Sequence, residues 1–200
     1  MRFLSGTNIK REFLDLDHIK ILLFSLTLIS FSAQAKLMLE PSTNIYSGSF
    51  SVSNRSGSLT GKTLNLNIGY LGPYFMAGIS VEKGTFEYDS DVTTDKYTTF
   101  DGGGVGTFIG FHFFDRIKLW STYLNSSLEP VKNNDTRYFG QHFSAGIGFR
   151  IIDGLILSYQ NFSNQFTQFE SDITGKTEGL DNNIKTSGNI INLSYLLAIE

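Results

Sequence analysis

The sequence predicts an all-β chain: an eight-stranded antiparallel up-and-down transmembrane β-barrel preceded by a cleavable signal peptide. Three observations predict it. From residue 36 onward apolar residues recur with period two, not 3.6. Tight and long polar connections alternate along the chain. Residues 1–35 carry the parts of an export leader. Composition agrees. The 200 residues suit one domain or two small ones, and 18 Phe and 20 Gly lean towards β structure. Charged residues make up 18%, against roughly 25% in ordinary globular chains. With 40% hydrophobic residues, that low charge argues against disorder. The absence of Cys excludes a disulfide framework, a Cys-ligated zinc site and thiol catalysis. A balance of 16 basic to 19 acidic residues excludes a strongly basic nucleic-acid binder.

Residues 21–31 read ILLFSLTLISF, preceded by Lys20, with Lys10 and Arg11 further back. Ala33-Gln34-Ala35 then supplies an A-x-A cleavage signature. The run is too short to span a bilayer, which takes about 20 apolar residues. A buried core helix is the competing reading of this segment. The long n-region also carries Glu12, Asp15 and Asp17. Cleavage after Ala35 removes four basic and three acidic residues, so the remaining 12 basic and 16 acidic give −4. No later apolar stretch approaches a membrane helix. The exported chain is then soluble outside the cytoplasm or a membrane barrel.

The predicted strands are 37–52, 60–71, 74–89, 100–114, 117–128, 138–152, 155–170 and 187–199. In 63–70, Leu64, Leu66, Ile68 and Tyr70 share one face, with Asn65, Asn67 and Gly69 opposite. In 104–113, Val105, Ile109, Phe111 and Phe113 oppose Gly104, Gly106, Gly110 and His112. The strand at 138–152 sets Phe139, Phe143, Ala145, Ile147, Phe149 and Ile151 against Gly140, His142, Ser144, Gly146, Gly148 and Arg150. The last strand sets Ile191, Leu193, Tyr195, Leu197 and Ile199 against Asn192 and Ser194. Tight turns are predicted at 71–73, 115–116 and 153–154, the last an Asp-Gly pair. Long connections are predicted at 53–59, 90–99, 129–137 and 171–186. In the seventh strand Phe162, Phe166 and Phe169 fit no single face, which predicts a bulge.

One face of these strands is Leu, Ile, Val and Phe, nearly free of charge. Turned inward, it would leave an outer surface poor in Lys and Glu for a soluble protein. Turned outward, it matches an apolar band around a polar lumen. Glycines on the inner face leave room for larger side chains in a narrow barrel. Tyr70, Tyr74, Phe75, Phe111, Phe113, Trp120, Phe149, Tyr159 and Tyr195 all lie near a tight turn or the C-terminus. They predict an aromatic girdle at that end, the alternative being the core of a β-sandwich.

With these features, residues 36–200 resemble a small OmpA/OmpX-type outer-membrane β-barrel of a Gram-negative bacterium. The resemblance rests on the export signal, the alternating strands and the alternating connections. The alternating end Tyr195, Leu197, Ile199 is similar to the assembly signal of such proteins, although the chain ends in Glu200 where the family usually has an aromatic residue. The resemblance implies location in the bacterial cell outer membrane. Its implied partners are outer-membrane lipids and lipopolysaccharide, the barrel-assembly machinery during biogenesis, and an extracellular ligand at the long loops. No nucleic acid is implied.

Glu40, Glu82, His112, His142 and Arg150 are the candidate lumen charges, with an ion pair between Glu40 and Arg150 near the short-turn end. Buried charges need partners. His142-x-Ser144 places a base and a hydroxyl on one face, but a triad also needs an orienting acid. Asn161-Phe162-Ser163-Asn164 is similar to the His-x-Ser-Asn motif of outer-membrane lipid A deacylases, with Asn161 where the catalytic His would stand. Without that base the Ser163 hydroxyl is a poor nucleophile. The run from Asp89 to Asp95 has calcium-loop spacing at first. It then places Thr94 and Phe100 where Gly and Glu are required. Gly102-Gly103-Gly104 opens a strand, not a phosphate-binding helix. These residues predict no catalytic site, no metal and no cofactor. They predict a structural or surface-interaction role, adhesion or binding through the loops. The alternatives are a lipid A-modifying deacylase-like enzyme and a narrow pore for small solutes. Asn192 is expected to line the lumen and to tolerate Ser.

Overall fold

The structure, a computed structural model, describes residues 36–53, 55–90, 98–132, 136–171 and 176–199. The predicted leader, the acidic stretch 91–95 and the Asn133-Asn134 pair lie outside these residues. Eight long strands follow one another: β1 (Lys36–Val52), β2 (Arg55–Leu71), β3 (Phe75–Ser90), β4 (Thr98–Phe113), β5 (Ile117–Pro130), β6 (Thr136–Ile152), β7 (Leu155–Ser171) and β8 (Lys176–Tyr195). A short β9 (Leu197–Ile199) continues β8 past an interruption at Leu196. Each strand pairs antiparallel with the next, and β1 pairs with β2 on one edge and with β8 and β9 on the other. The sheet therefore closes and leaves no edge, which satisfies every strand's backbone within the ring.

Alternation of side chains fixes the two faces. Outward residues on β2 are Leu64, Leu66, Ile68 and Tyr70, with Leu64 as much as 69% exposed. On β6 they run from Phe143 to Ile151. That stretch spans about 26 Å along the strand at roughly 3.3 Å per residue. A tilt of about 40° reduces it to about 20 Å, comparable with the roughly 25 Å apolar band of barrels in lipid. A continuous exposed apolar belt of this size is foreign to soluble monomers.

Short turns stand at all three predicted places, the β6–β7 turn at 153–154 as predicted, the β2–β3 turn one residue later at 72–74 and the β4–β5 turn one residue earlier at 114–116. At the β4–β5 turn Phe114 and Asp115 both have positive φ (51° and 54°), and Arg116 N donates to Phe113 O at 3.1 Å. Two positive-φ residues make the primed turn that suits strand twist. At the β6–β7 turn only Gly154 has positive φ (76°), and a register shift between Arg150 and Ile152 accompanies it. The predicted bulge of the seventh strand sits at Thr167, skipped between Phe166 and Gln168 on both neighbouring ladders. Phe162 and Phe166 point inward with the even-numbered residues before it; Phe169 follows it.

Two predicted long connections are corrected. The segment 53–59 is not a loop: Val52 pairs with Arg55, and β2 begins there. Within 171–186, β8 starts at Lys176, which pairs with Ser171. Polar Ser, Thr, Asn and Gly residues in these segments have no apolar face, so they read as loops. Their backbone groups nonetheless continue the ladder, which satisfies them as well as water would.

Candidate functional site

The lumen is the only enclosed chemistry of the described residues, and it is layered. At the short-turn end Met38, Met76, Phe108 and Trp120 are buried together, with Leu71 and Leu196 against them. At the opposite end Tyr46, Leu59, Phe86, Tyr88, Leu128, Phe162, Phe166 and Ile190 form a second apolar cluster. Trp120 thus faces inward, a correction to its predicted place in the outer girdle. Its even-numbered position on β5 puts it in register with inward Lys118 and Thr122. The outward Phe111, Phe113, Phe149, Tyr159 and Tyr195 do occupy the short-turn half of the outer face.

Between the apolar layers lies a polar network that ends on two carboxylates. Lys118 Nζ lies 2.6 and 2.5 Å from the two Glu40 oxygens. Ser194 Oγ donates to Glu40 Oε1 at 2.7 Å, and Asn67 Nδ2 to Oε2 at 3.4 Å. Behind Asn67, Ser80 donates to Asn65 at 2.9 Å and Asn65 to Asn67 at 3.3 Å. Glu82 accepts from Tyr46 Oη at 2.6 Å and from Asn44 Nδ2 at 3.1 Å. Asn192 Nδ2 donates to Asn44 Oδ1 at 2.5 Å, and Asn192 Oδ1 accepts from Ser158 Oγ at 3.3 Å. Amide side chains suit this relay because each carries both a donor and an acceptor. Lys118 Nζ also sits 4.4 Å from the Trp120 ring centroid, so the indole face supports the ammonium.

The predicted Glu40–Arg150 pair is therefore wrong in its cation. Lys118 takes that place, and it was missed because strand tilt and stagger decide which inward residues meet across the lumen. Arg150 instead lines a hollow at the short-turn end with His112, Asp115 and Arg116. Its Nε is buried without a hydrogen-bond partner among the described residues. His112 is half-buried, with Nε2 2.7 Å from Gly72 O at the β2–β3 turn. His142 and Glu82 are buried in the middle of the lumen. His142 Nδ1 lies 2.5 Å from Asn164 Oδ1, and its ring stacks on Phe162 at 6.1 Å.

Neither serine motif assembles a reactive group. His142 and Ser144 are both buried within the barrel, and the hydrogen bond of His142 Nδ1 goes to Asn164. Ser163 faces outward while Asn164 faces inward, because neighbours on a strand point to opposite faces. A nucleophile and an oxyanion donor cannot act together across the barrel wall. The space left at the centre, bounded by Glu40, Glu82, Lys118 and His142, is about 20 Å³, room for about one water.

Glycines shape this interior. A Cβ on Gly110 would come within 2.4 Å of Met76 Cε and 2.7 Å of Trp120 Cβ. At the seam, Gly48 and Gly188 face each other across β1 and β8, and a Cβ on Gly188 would lie 2.3 Å from Ser47 O.

No protein-family model matches the chain, and no curated protein matches it. Several solved structures are similar. Ail, the attachment invasion locus protein of Yersinia pestis, shares 9% identity at a TM-score of 0.49, over 81% of this chain and 99% of that one. Neisserial surface protein A shares 12% identity at 0.47, over 80% and 97%. The outer membrane protease OmpT of Escherichia coli shares 9% at 0.31, over 81% and 93%.

Proposed function

We propose that the chain is an integral outer-membrane β-barrel of a Gram-negative bacterium that supports the envelope and presents its long hairpins to the medium for binding or adhesion. The observation that carries this reading is the closed ring with an apolar belt outside and a charged, hydrogen-bonded network inside. A belt of that kind is stable only in lipid, and closed barrels and helices are the structures that satisfy backbone groups there. The leader read from the sequence of residues 1–35 would send the chain across the inner membrane, which favours the outer-membrane reading.

Lipid partners are supported at the edge of the belt. Lys62 and Lys83 are outward residues just beyond Leu64 and Val81, and the β2–β3 register makes them diagonal neighbours. Two exposed ammonium groups at that level suit the phosphates of lipopolysaccharide. The barrel-assembly machinery would meet the alternating residues Tyr195, Leu197 and Ile199. The filled lumen speaks against a pore, since both apolar layers block the path. Opposed facing of Ser163 and Asn164 speaks against deacylation. Outer-membrane fractionation with a gel-shift test of heat-modifiability tests the reading. Recovery of the protein in the soluble extract, or a single gel band with and without boiling, would overturn it.

A further inference from the structure

The outer wall changes chemistry just past the apolar belt, and not in the same way all round. On β2 and β3 the first outward residues beyond Leu64 and Val81 are Lys62 and Lys83. On β5 and β6 they are Asn125, two residues beyond Tyr123, and Gln141, two before Phe143. These two amides stand opposite each other in the ladder, and the next outward pair is Ser127 with Phe139. Across β6, Phe139 pairs with Gln168, beside the bulged Thr167. Asn125, Ser127, Phe139, Gln141, Thr167 and Gln168 line a hollow of about 420 Å³. The buried lumen residues Leu124, Leu128 and Phe166 have no part in it, so it opens outward. The β6–β7 ladder continues past it to the Thr136–Ser171 pair, so the hollow is built wholly within paired strands.

The lining points to one ligand chemistry. It carries no charge. One outward step further on, Glu129 and Arg137 pair with each other at 2.9 Å. A phosphate therefore finds no cation within the hollow, unlike at Lys62 and Lys83. Asn125, Gln141 and Gln168 are exposed, and each amide offers both a donor and an acceptor, the combination that neighbouring sugar hydroxyls need. Phe139 is the only aromatic residue at an outward position past the belt among the described residues. Its ring gives an apolar surface to the C–H face of a pyranose. The volume falls within the roughly 300–1,000 Å³ of small-molecule clefts. The level fixes the source, because the hollow begins one outward step beyond the belt, where the headgroups of the surrounding lipid stand. We propose that the outer wall of β5, β6 and β7 binds a neutral sugar ring of a lipid-anchored glycan, with Phe139 against the ring and the Asn125, Gln141 and Gln168 amides on its hydroxyls. The proposal rests on the outer-membrane reading, which supplies the leaflet.

The probe is monoglucosyl diacylglycerol, a neutral one-sugar lipid, as a minor component of phosphatidylcholine nanodiscs that hold the full mature barrel. Native mass spectrometry counts the lipids retained on the protein. One glucosyl lipid should be retained well above its mole fraction, and diacylglycerol without the sugar should not be. Phe139→Ala and Gln141→Met should each lower the enrichment about two- to tenfold, the worth of one ring or amide contact. Lys62→Gln combined with Lys83→Gln should leave it unchanged. Methyl glucoside in solution should not displace the lipid. Each protein is first tested for heat-modifiability. A parent that lacks it sinks the membrane reading and the site together, whereas a folded parent that retains the glucosyl lipid no better than diacylglycerol overturns the site alone. Folded Phe139→Ala and Gln141→Met variants that both bind like the parent overturn it too. Loss of enrichment in the lysine variant overturns the placement on β5–β7, and displacement by methyl glucoside overturns the lipid-anchored source.

Discussion

Replacing Lys118 by Met removes the cation that faces both oxygens of Glu40. At about 2.6 Å the pair attracts by roughly 6 kcal/mol at an effective dielectric of about 20. Desolvation of two buried ions offsets most of that, several kcal/mol for each. The pair as a unit is therefore worth little, but a broken pair is expensive. Lys118→Met should destabilise the barrel by about 3–5 kcal/mol, the cost of stranding one buried charge. The double variant Glu40→Gln with Lys118→Met should recover most of the loss. Gln at position 40 still accepts from Ser194 and Asn67, and Met occupies the space beside Trp120. The assay is reversible urea unfolding in lipid vesicles, followed by the gel shift of the folded form, at about pH 8 so that a free carboxylate stays ionised. A single variant that loses less than about 1 kcal/mol would refute the reasoning, because it would mean that water already solvates Glu40. A double variant no better than the single would refute it too.

Arg at Ile147 or Leu193, both outward on β6 and β8, should cost about 2–4 kcal/mol near the midplane of a barrel's lipid face; vesicle folding titrations check it, and parent-like folding of both would remove lipid from that face. Asn192→Ser cannot serve as their silent control. Asn192 bridges Asn44 and Ser158, so the substitution should itself cost about 1–3 kcal/mol through unsatisfied groups. Ser42→Ala is the better control, since Ser42 Oγ has no hydrogen-bond partner among the described residues. Gly188→Val should cost at least about 1–3 kcal/mol by overpacking the seam against Ser47, read as a lowered urea midpoint. N-terminal sequencing of the exported protein should begin at Lys36, and an epitope tag between Asn133 and Asn134 should be reachable on intact cells while tags at Gly72 or Asp153 are not; the reverse labelling would invert the topology.

The strands and their faces were legible where period two survives, which is most of each strand outside the bulged end of β7 and the polar starts of β2 and β8. Inner Gly140, His142 and Ser144 against outer Phe143 and Ile147 need no tertiary information. What sits across the lumen was not legible. Partners there are set by strand tilt and stagger, so Lys118 rather than Arg150 meets Glu40 although both are inward residues of the short-turn half. Trp120 was misplaced because nearness to a turn suggested a girdle, while its parity on β5 already put it with Lys118 and Thr122. The apolar layers above and below the polar network were hidden for a related reason. Phe86, Phe108 and Phe166 stand on inner faces that also carry Gly and polar residues such as Ser80, Gly106 and Asn164, so no apolar run marks them.

The strands that outrun the apolar belt set a standoff distance. On β7 eleven residues, from Asn161 to Ser171, continue past Tyr159, ten of them in regular pairing once the bulged Thr167 is set aside. At about 3.3 Å per residue and a tilt near 40°, that lifts the hairpin tip by roughly 25 Å. Because the faces alternate, this height changes in paired steps unless a bulge such as that at Thr167 absorbs the odd residue. Removing two residues from each arm of a hairpin would lower its tip by about 5 Å and keep every side chain on its own side. Removing one from each would turn the arm inside out. The barrel thus carries a ruler graduated in dipeptides, and the reach of its tips can be shortened or extended without disturbing the wall beneath.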